Sequence, residues 1–248
     1  MSISKSKIKL IRSLEQKKYR KEERLFLAEG SKLIADLSGM FRCRFLVATV
    51  GWLQQSPYIP VDEIVEVSAE ELSRCSLLKA PQQVLAVFEQ PQYQLNPALV
   101  RKSLSLALDD VQDPGNLGAI IRVADWFGIE DIFCSPGTAD VYNPKTVQAT
   151  MGAIARVRVH YTSLRELIGS LKIPVYGTFI HGENIYEQSL STNGIIVMGN
   201  EGNGIGRGVE ELIGRRLFIP NYPPERETSE SLNVAAATAI VCSEFRRR

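Results

Sequence analysis

With 248 residues, 44% of them hydrophobic, 23% charged and 8% aromatic, the chain is long enough for two domains and too apolar for disorder, and it is neither a collagen repeat nor a disulfide-held miniprotein. Its net charge of +1 joins two opposite parts: residues 1–104 carry 16 Lys and Arg against 11 Asp and Glu, whereas residues 105–248 carry 13 against 17. No apolar run reaches the roughly 20 residues that cross a bilayer, the basic N-terminus lacks a secretory apolar stretch, and Cys43, Cys75, Cys134 and Cys242 are scattered with only His160 and His181 to assist them, so a cytoplasmic protein with no membrane partner, no metal and no disulfide framework is expected.

Residues 1–24 hold nine basic side chains, among them Lys17, Lys18, Arg20 and Arg24, against three acidic ones. Such a positive surface attracts polyanions, RNA first among them. The same residues also fit the solvated face of a helix whose other face, with Ile3, Ile8, Ile11 and Leu14, caps a core. A second helix is expected near 29–37 and short strands at 45–50, 64–67 and 84–88, which together make a small α/β unit. Residues 89–97, with two prolines and three glutamines, read as an extended connector, and the domains are set at 1–95 and 96–248. Beyond it, apolar strands at 105–108, 131–134, 157–159, 175–179, 195–198 and 217–219 alternate with helical patterns at 117–127, 144–154, 164–171, 209–213 and from about 231. That alternation builds a mostly parallel sheet covered by helices on both faces, the α/β class.

In an open parallel sheet the site lies outside the carboxyl ends of the strands. Three loops stand there: 109–118, leading into a helix that carries Arg122; 198–206, with four glycines; and 229–234, at the mouth of the last helix. Glycines let the second loop wrap a ligand with backbone groups, although tight turns alone would also use them. It matches neither GxxxxGK[ST] nor GxGxxG, and Glu201 stands where a phosphate cradle would carry a cation, so a neutral or cationic ligand suits it better. Asn116 is placed to cap the helix that follows Asp113-Pro114. Arg122 offers a fork of donors to a phosphodiester or carboxylate, or else pairs with an acid such as Asp109. Of Ser231 and Asn233, one is expected to cap the last helix and the other to face a substrate.

Taken together, in this order and spacing, the loops resemble those of the SpoU (TrmH-type) branch of the SPOUT methyltransferases. Asp113-Pro-x-Asn116-x-Gly118-x-Ile120-x-Arg122 is similar to the first family motif, Met198-Gly-Asn-Glu-Gly-x-Gly204 to the second, and Ile219-Pro220 with Ser231-Leu-Asn-Val234 to the third. The first hundred residues resemble the ribosomal-protein-L30e-like domain that precedes it in many members, through Lys17-Lys-Tyr-Arg20, Phe26-Leu-Ala-Glu-Gly30 and Pro81-Gln-Gln-Val-Leu-Ala86. The resemblance implies a C-terminal sheet closed by a deep trefoil knot, an exception to the rule that chains avoid knots, and a homodimer through the knotted part.

It further implies methyl transfer from S-adenosylmethionine to a ribose 2'-hydroxyl of RNA, with 23S-type ribosomal RNA as the expected substrate. The family places cofactor contacts at positions matching Thr178, Gly199, Ile219 and Leu232, with Gly177 beside Thr178. A cationic sulfonium explains a glycine loop without lysine. The reacting centre falls on Arg122, with Asn116, Glu201, Ser231 and Asn233 holding the ribose and the loops, and the RNA contacts on Lys17, Lys18, Arg20, Arg24 and Arg122. The strong basicity of a guanidinium opposes a literal base, so Arg122 is expected to stabilise the developing alkoxide and its phosphate; base catalysis through a substrate phosphate is the other route. One departure from the family is the long charged stretch 221–230, expected to bear on RNA choice more than on cofactor binding. The alternatives are a tRNA 2'-O-methyltransferase, a non-catalytic RNA-binding or ribosome-assembly factor with this fold, against which Asn116, Arg122, Glu201 and Asn233 all argue, and a small-molecule Rossmann-type enzyme, whose dinucleotide fingerprint is missing.

Overall fold

The computed structural model describes residues 3–247 except Pro57, Pro224, Glu225, Thr228 and Glu230. The last four belong to the charged stretch 221–230, so that much of it lies outside the described residues. The chain forms two compact units, residues 1–92 with 140–155 and residues 93–139 with 156–248. The break after residue 92 lies inside the Pro- and Gln-rich connector, but residues 140–155, set in the second domain by the sequence, pack in the first unit instead. Among the described residues no helix is long and apolar enough to cross a membrane, and no group of three or more His, Cys, Asp or Glu is arranged to hold a metal ion.

The first unit runs α1 (Lys5–Ser13), α2 (Lys17–Glu23), β1 (Leu25–Glu29), α3 (Ser31–Ser38), β2 (Cys43–Thr49), α4 (Val50–Gln55), β3 (Ile64–Val67), α5 (Ala69–Cys75) and β4 (Val84–Glu89). Its four strands lie in the order β1-β4-β2-β3, with only β2 and β3 parallel. The apolar face of α1, with Ile11 and Leu14, packs on Leu27, Val47, Leu85 and Val87 of the sheet, as the helical spacing in the sequence requires. On its other side, Phe26 of β1 meets Phe88 and Phe41, and also Tyr142 of the returning segment at 4.9 Å between ring centres.

Arg20 is the largest correction in this unit. It is only 2% exposed. Its Nε and Nη2 donate to Asp140 Oδ2 at 2.9 and 2.6 Å, and Nη1 donates to the carbonyls of Leu14 and Glu15 at 2.8 and 2.7 Å. A side chain so buried and so fully bonded cannot also grip RNA. Charge along a helix does not reveal which cation turns inward; Lys17, Lys18 and Arg24 remain exposed.

The second unit contains α6 (Pro97–Val100), β5 (Leu104–Leu108), α7 (Pro114–Trp126) and β6 (Asp131–Cys134). After α8 (Pro144–Thr150), which packs on β1 of the first unit, it resumes with β7 (Arg158–Tyr161), α9 (Leu164–Leu171), β8 (Val175–Asn184), β9 (Gly194–Met198), α10 (Arg207–Glu210), β10 (Arg215–Phe218) and α11 (Val234–Arg246). Its six strands are all parallel, in the order β10-β8-β9-β5-β6-β7. Every residue of β5, β6 and β9 is buried, which is why, Ser105 and Asp131 apart, they read as apolar runs. Leu167, Ile168 and Leu171 of α9 cover one face with Ile205 and Val209.

A charged cluster closes the far edge of this sheet. Arg158 donates twice to Asp131, each time at 2.8 Å, and His160 Nε2 lies 2.9 Å from the same carboxylate. Burial works to raise the Asp131 pKa, but the hydrogen bonds from His160 and Arg158 prevail and hold it down at about 2. A carboxylate whose folded pKa is lowered stabilises the fold fully above its unfolded pKa, and that contribution fades as pH falls toward the folded value. Asp131→Asn is therefore expected to destabilise the chain by ~2 kcal/mol at neutral pH. Urea unfolding followed from neutral pH down toward about 2 should show the wild type losing this advantage below about pH 4 and the variant not.

Candidate active site

The site forms where β10, β8, β9 and β5 stand side by side, because the three loops singled out in the sequence follow β5, β9 and β10, with β8 between the last two. After β5, Asp109 turns inward and its Oδ2 accepts from the backbone N–H of Gly206 at 2.7 Å. Asp110 follows with φ of 56°, a left-handed conformation secured by the hydroxyl of Ser135, which accepts from the Asp110 N–H at 2.9 Å and donates to its carboxylate at 2.6 Å. Asn200 then ties the glycine loop to this turn. Its side-chain amide donates to the Asp110 carbonyl at 2.8 Å, while its Oδ1 accepts from the N–H groups of Gly202 and Asn203 at 2.9 and 3.0 Å.

Asp113, not Asn116, caps α7: its carboxylate accepts from the Asn116 N–H at 2.8 Å, with Pro114 in the first helical turn. The Asn116 side chain is thereby released. Its Nδ2 donates to Glu201 Oε1, and its Oδ1 accepts from Asn233 Nδ2 at 3.0 Å. Asn233 in turn caps α11, its Oδ1 accepting from the N–H groups of Ala235 and Ala236. One hydrogen-bonded chain, Glu201–Asn116–Asn233, thus joins all three loops. Ser231 is exposed and stands outside that chain of bonds; its carbonyl accepts from the Ser229 hydroxyl at 3.4 Å. Arg122 is exposed on α7 and has no hydrogen bond or ion pair among the described residues. The pairing with Asp109 considered from the sequence is not made, since that carboxylate serves the glycine loop.

Backbone governs the rest of the site. A Cβ at Gly199 would stand 2.6 Å from the carbonyl oxygen of Gly204, so only glycine lets the loop fold back on itself, held by paired bonds between Asn200 and Gly204 at 3.0 and 2.9 Å. Thr178, half-buried at the end of the β8–β9 pairing, directs its hydroxyl to the Val197 carbonyl at 3.5 Å. Ile219 follows β10 half-buried, and Leu232 precedes α11 with half its surface exposed. Gly199→Ala must open this loop, and S-adenosylmethionine affinity measured by calorimetry is expected to fall about tenfold or more.

Sequence reading missed Asp109, Asp110, Ser135 and Asn200 as the frame of these loops. Asn200 was accessible: an Asn set among glycines offers its carboxamide to backbone groups two and three residues on. Ser135 was not, because only the pairing of β5 with β6 brings it to Asp110.

A parallel α/β sheet bearing its polar cluster on loops at the carboxyl ends of adjacent strands defines an α/β protein of the ligand-binding, enzymatic kind. Comparison with known proteins supplies the family. The SpoU rRNA Methylase family matches residues 103–243, and the MRM3-like substrate binding domain matches residues 5–86. The chain belongs to the SpoU rRNA methylase family. It is 32% identical to the 23S rRNA (guanosine(2553)-2'-O)-methyltransferase RlmP of Bacillus subtilis, over 99% of this chain and 98% of that protein. A TrmH-family structure from Porphyromonas gingivalis is similar with 42% identity and a TM-score of 0.91, covering 100% of both chains. An AdoMet-bound rRNA methyltransferase from Sinorhizobium meliloti shares 30% identity and a TM-score of 0.85 over 100% of this chain and 96% of that one.

Proposed function

We propose that this chain transfers a methyl group from S-adenosylmethionine to a ribose 2'-hydroxyl of ribosomal RNA. The observation that carries the reading is the bonded chain Glu201–Asn116–Asn233 joining three loops, beside the helix that bears Arg122, which has no side-chain partner among the described residues. The donor set fits the cofactor: the loops present backbone groups around Gly199, with the Glu201 and Asp109 carboxylates and no lysine between 198 and 206, which suits a cationic ligand. Thr178, Gly199, Ile219 and Leu232 would hold it. When bound, S-adenosylmethionine supplies a methyl group activated by its sulfonium.

The chain's own task is then to place the 2'-hydroxyl and to manage its charge. Arg122, without a competing side-chain partner among the described residues, offers its fork to the oxygen that becomes negative and to the adjoining phosphate. Asn116 and Glu201 keep α7 and the glycine loop in register around it, Asn233 does so from the third loop, and the exposed Ser231 beside it is left to face the ribose. In the first unit, exposed Lys17, Lys18 and Arg24, beside Tyr19, meet RNA phosphates, and Arg20 holds their helix in place. The C-terminal sheet is threaded as a trefoil knot and pairs with a second copy; Trp126, 85% exposed on α7, supports such a covered face. Mapping 2'-O-methyl groups on ribosomal and transfer RNA from a deletion strain tests the substrate. Loss of one rRNA mark, restored by the wild-type chain and not by Arg122→Ala, is expected; loss confined to tRNA would overturn the rRNA assignment.

A further inference from the structure

β8 does not pair continuously. It registers with β9 only through residues 175–177 and with β10 at Tyr176 and Gly177, and it rejoins β10 at Glu183 and Asn184, leaving residues 178–182 as a bulge. Thr178 opens this bulge, Ile219 lies one residue past β10, and α10 follows the glycine loop. Arg216 touches all three elements. Its guanidinium carbon lies 3.5 Å from the centre of the Phe179 ring, its Nη1 donates to Glu210 Oε1 on α10, and its carbonyl oxygen stands where a Cβ on Gly182 would be only 2.6 Å away. Phe179 in turn packs on the core that contains Ile205 and Val209, so the ring under the cation is anchored to the end of the glycine loop and to α10.

We propose that Arg216 is a positioning residue for S-adenosylmethionine, a latch that keeps the β8 bulge, the end of β10 and the glycine loop in one arrangement. The inference rests on the cofactor reading above. A planar guanidinium suits the role because it lies flat on an aromatic face and still directs an N–H outward to a carboxylate, which a lysine ammonium cannot do in the same geometry. Arg216 and Glu210 are both substantially exposed, and an exposed ion pair adds little to global stability. Its consequence therefore belongs in ligand affinity.

The test is calorimetric titration of the full chain with S-adenosylmethionine, beside steady-state kinetics. In Arg216→Met and in Phe179→Leu the dissociation constant is expected to rise about tenfold, and the double variant to rise no further. KM for S-adenosylmethionine rises with it while kcat at saturating cofactor stays within about twofold. Arg216→Lys falls between Arg216→Met and wild type. Wild-type affinity in both single variants overturns the latch. A wild-type chain that gives no binding heat overturns the cofactor reading instead. Should Arg216→Met fail to fold, Phe179→Leu decides by the same affinity criterion.

Discussion

Arg122→Ala is expected to lower the methyl-transfer rate about 10³-fold, the scale set by removing a preorganised group that meets charge developing in a transition state. S-adenosylmethionine affinity should stay within about twofold, because the proposed cofactor contacts at Thr178, Gly199, Ile219 and Leu232 lie on other loops. Among the described residues Arg122 has no side-chain partner: Asp125, three residues further along α7, pairs with Arg156, Asp109 is taken by the Gly206 N–H, and Glu201 by Asn116. An exposed positive fork without a side-chain partner among the described residues, on the helix that leaves this loop cluster, suits an anion. Arg122→Lys should recover only part of the rate, since a point charge cannot bridge an alkoxide and a phosphate as a planar fork does. Single-turnover methylation with saturating cofactor separates the chemical step from binding; an Arg122→Ala rate near wild type would remove this residue from the reaction.

The second large effect is on folding. Arg20→Ala strips the partner from a partly buried carboxylate and leaves two backbone carbonyls without their donor, and it is expected to destabilise the first unit by about 3 kcal/mol. Removing both charges should be far milder: in Arg20→Met with Asp140→Leu most of that loss is expected to return. Urea unfolding with RNA-binding titrations distinguishes this from a direct RNA contact. A variant that keeps wild-type stability and loses RNA affinity alone would restore Arg20 to the binding surface. Lys18→Ala, by contrast, should weaken binding and its salt dependence by roughly one phosphate contact without changing stability.

These two arginines also show where the sequence was informative and where it was not. The parallel sheet was legible because β5, β6 and β9 are buried throughout and therefore, Ser105 and Asp131 apart, apolar, and because turn-rich loops punctuate them. The three loop motifs were legible because Asn, Glu and Gly at those spacings have few other uses together. What stayed hidden depends on contacts between distant positions. Arg20 meets Asp140 across 120 residues, so neither its burial nor the membership of 140–155 in the first unit can be read from local charge or periodicity. β8 runs on to Asn184 through polar His181, Gly182 and Glu183, and ended at Phe179 by an apolar criterion. α5 was overlooked although Ser68 and Glu71 spell the capping box that the structure confirms, and the cap of α7 went to Asp113 because an acid just before a proline at the first helical turn outcompetes a later Asn.

The most direct measurement is transfer of a labelled methyl group from S-adenosylmethionine by the purified full chain to ribosomal RNA lacking its own modifications, followed by alkaline hydrolysis and nucleotide mapping. Incorporation at one nucleotide, in an alkali-resistant dinucleotide that marks a 2'-O-methyl ribose, and its loss in Arg122→Ala, is the predicted result. Methyl transfer to a base, or cofactor binding with no transfer to any ribosomal RNA, would contradict it.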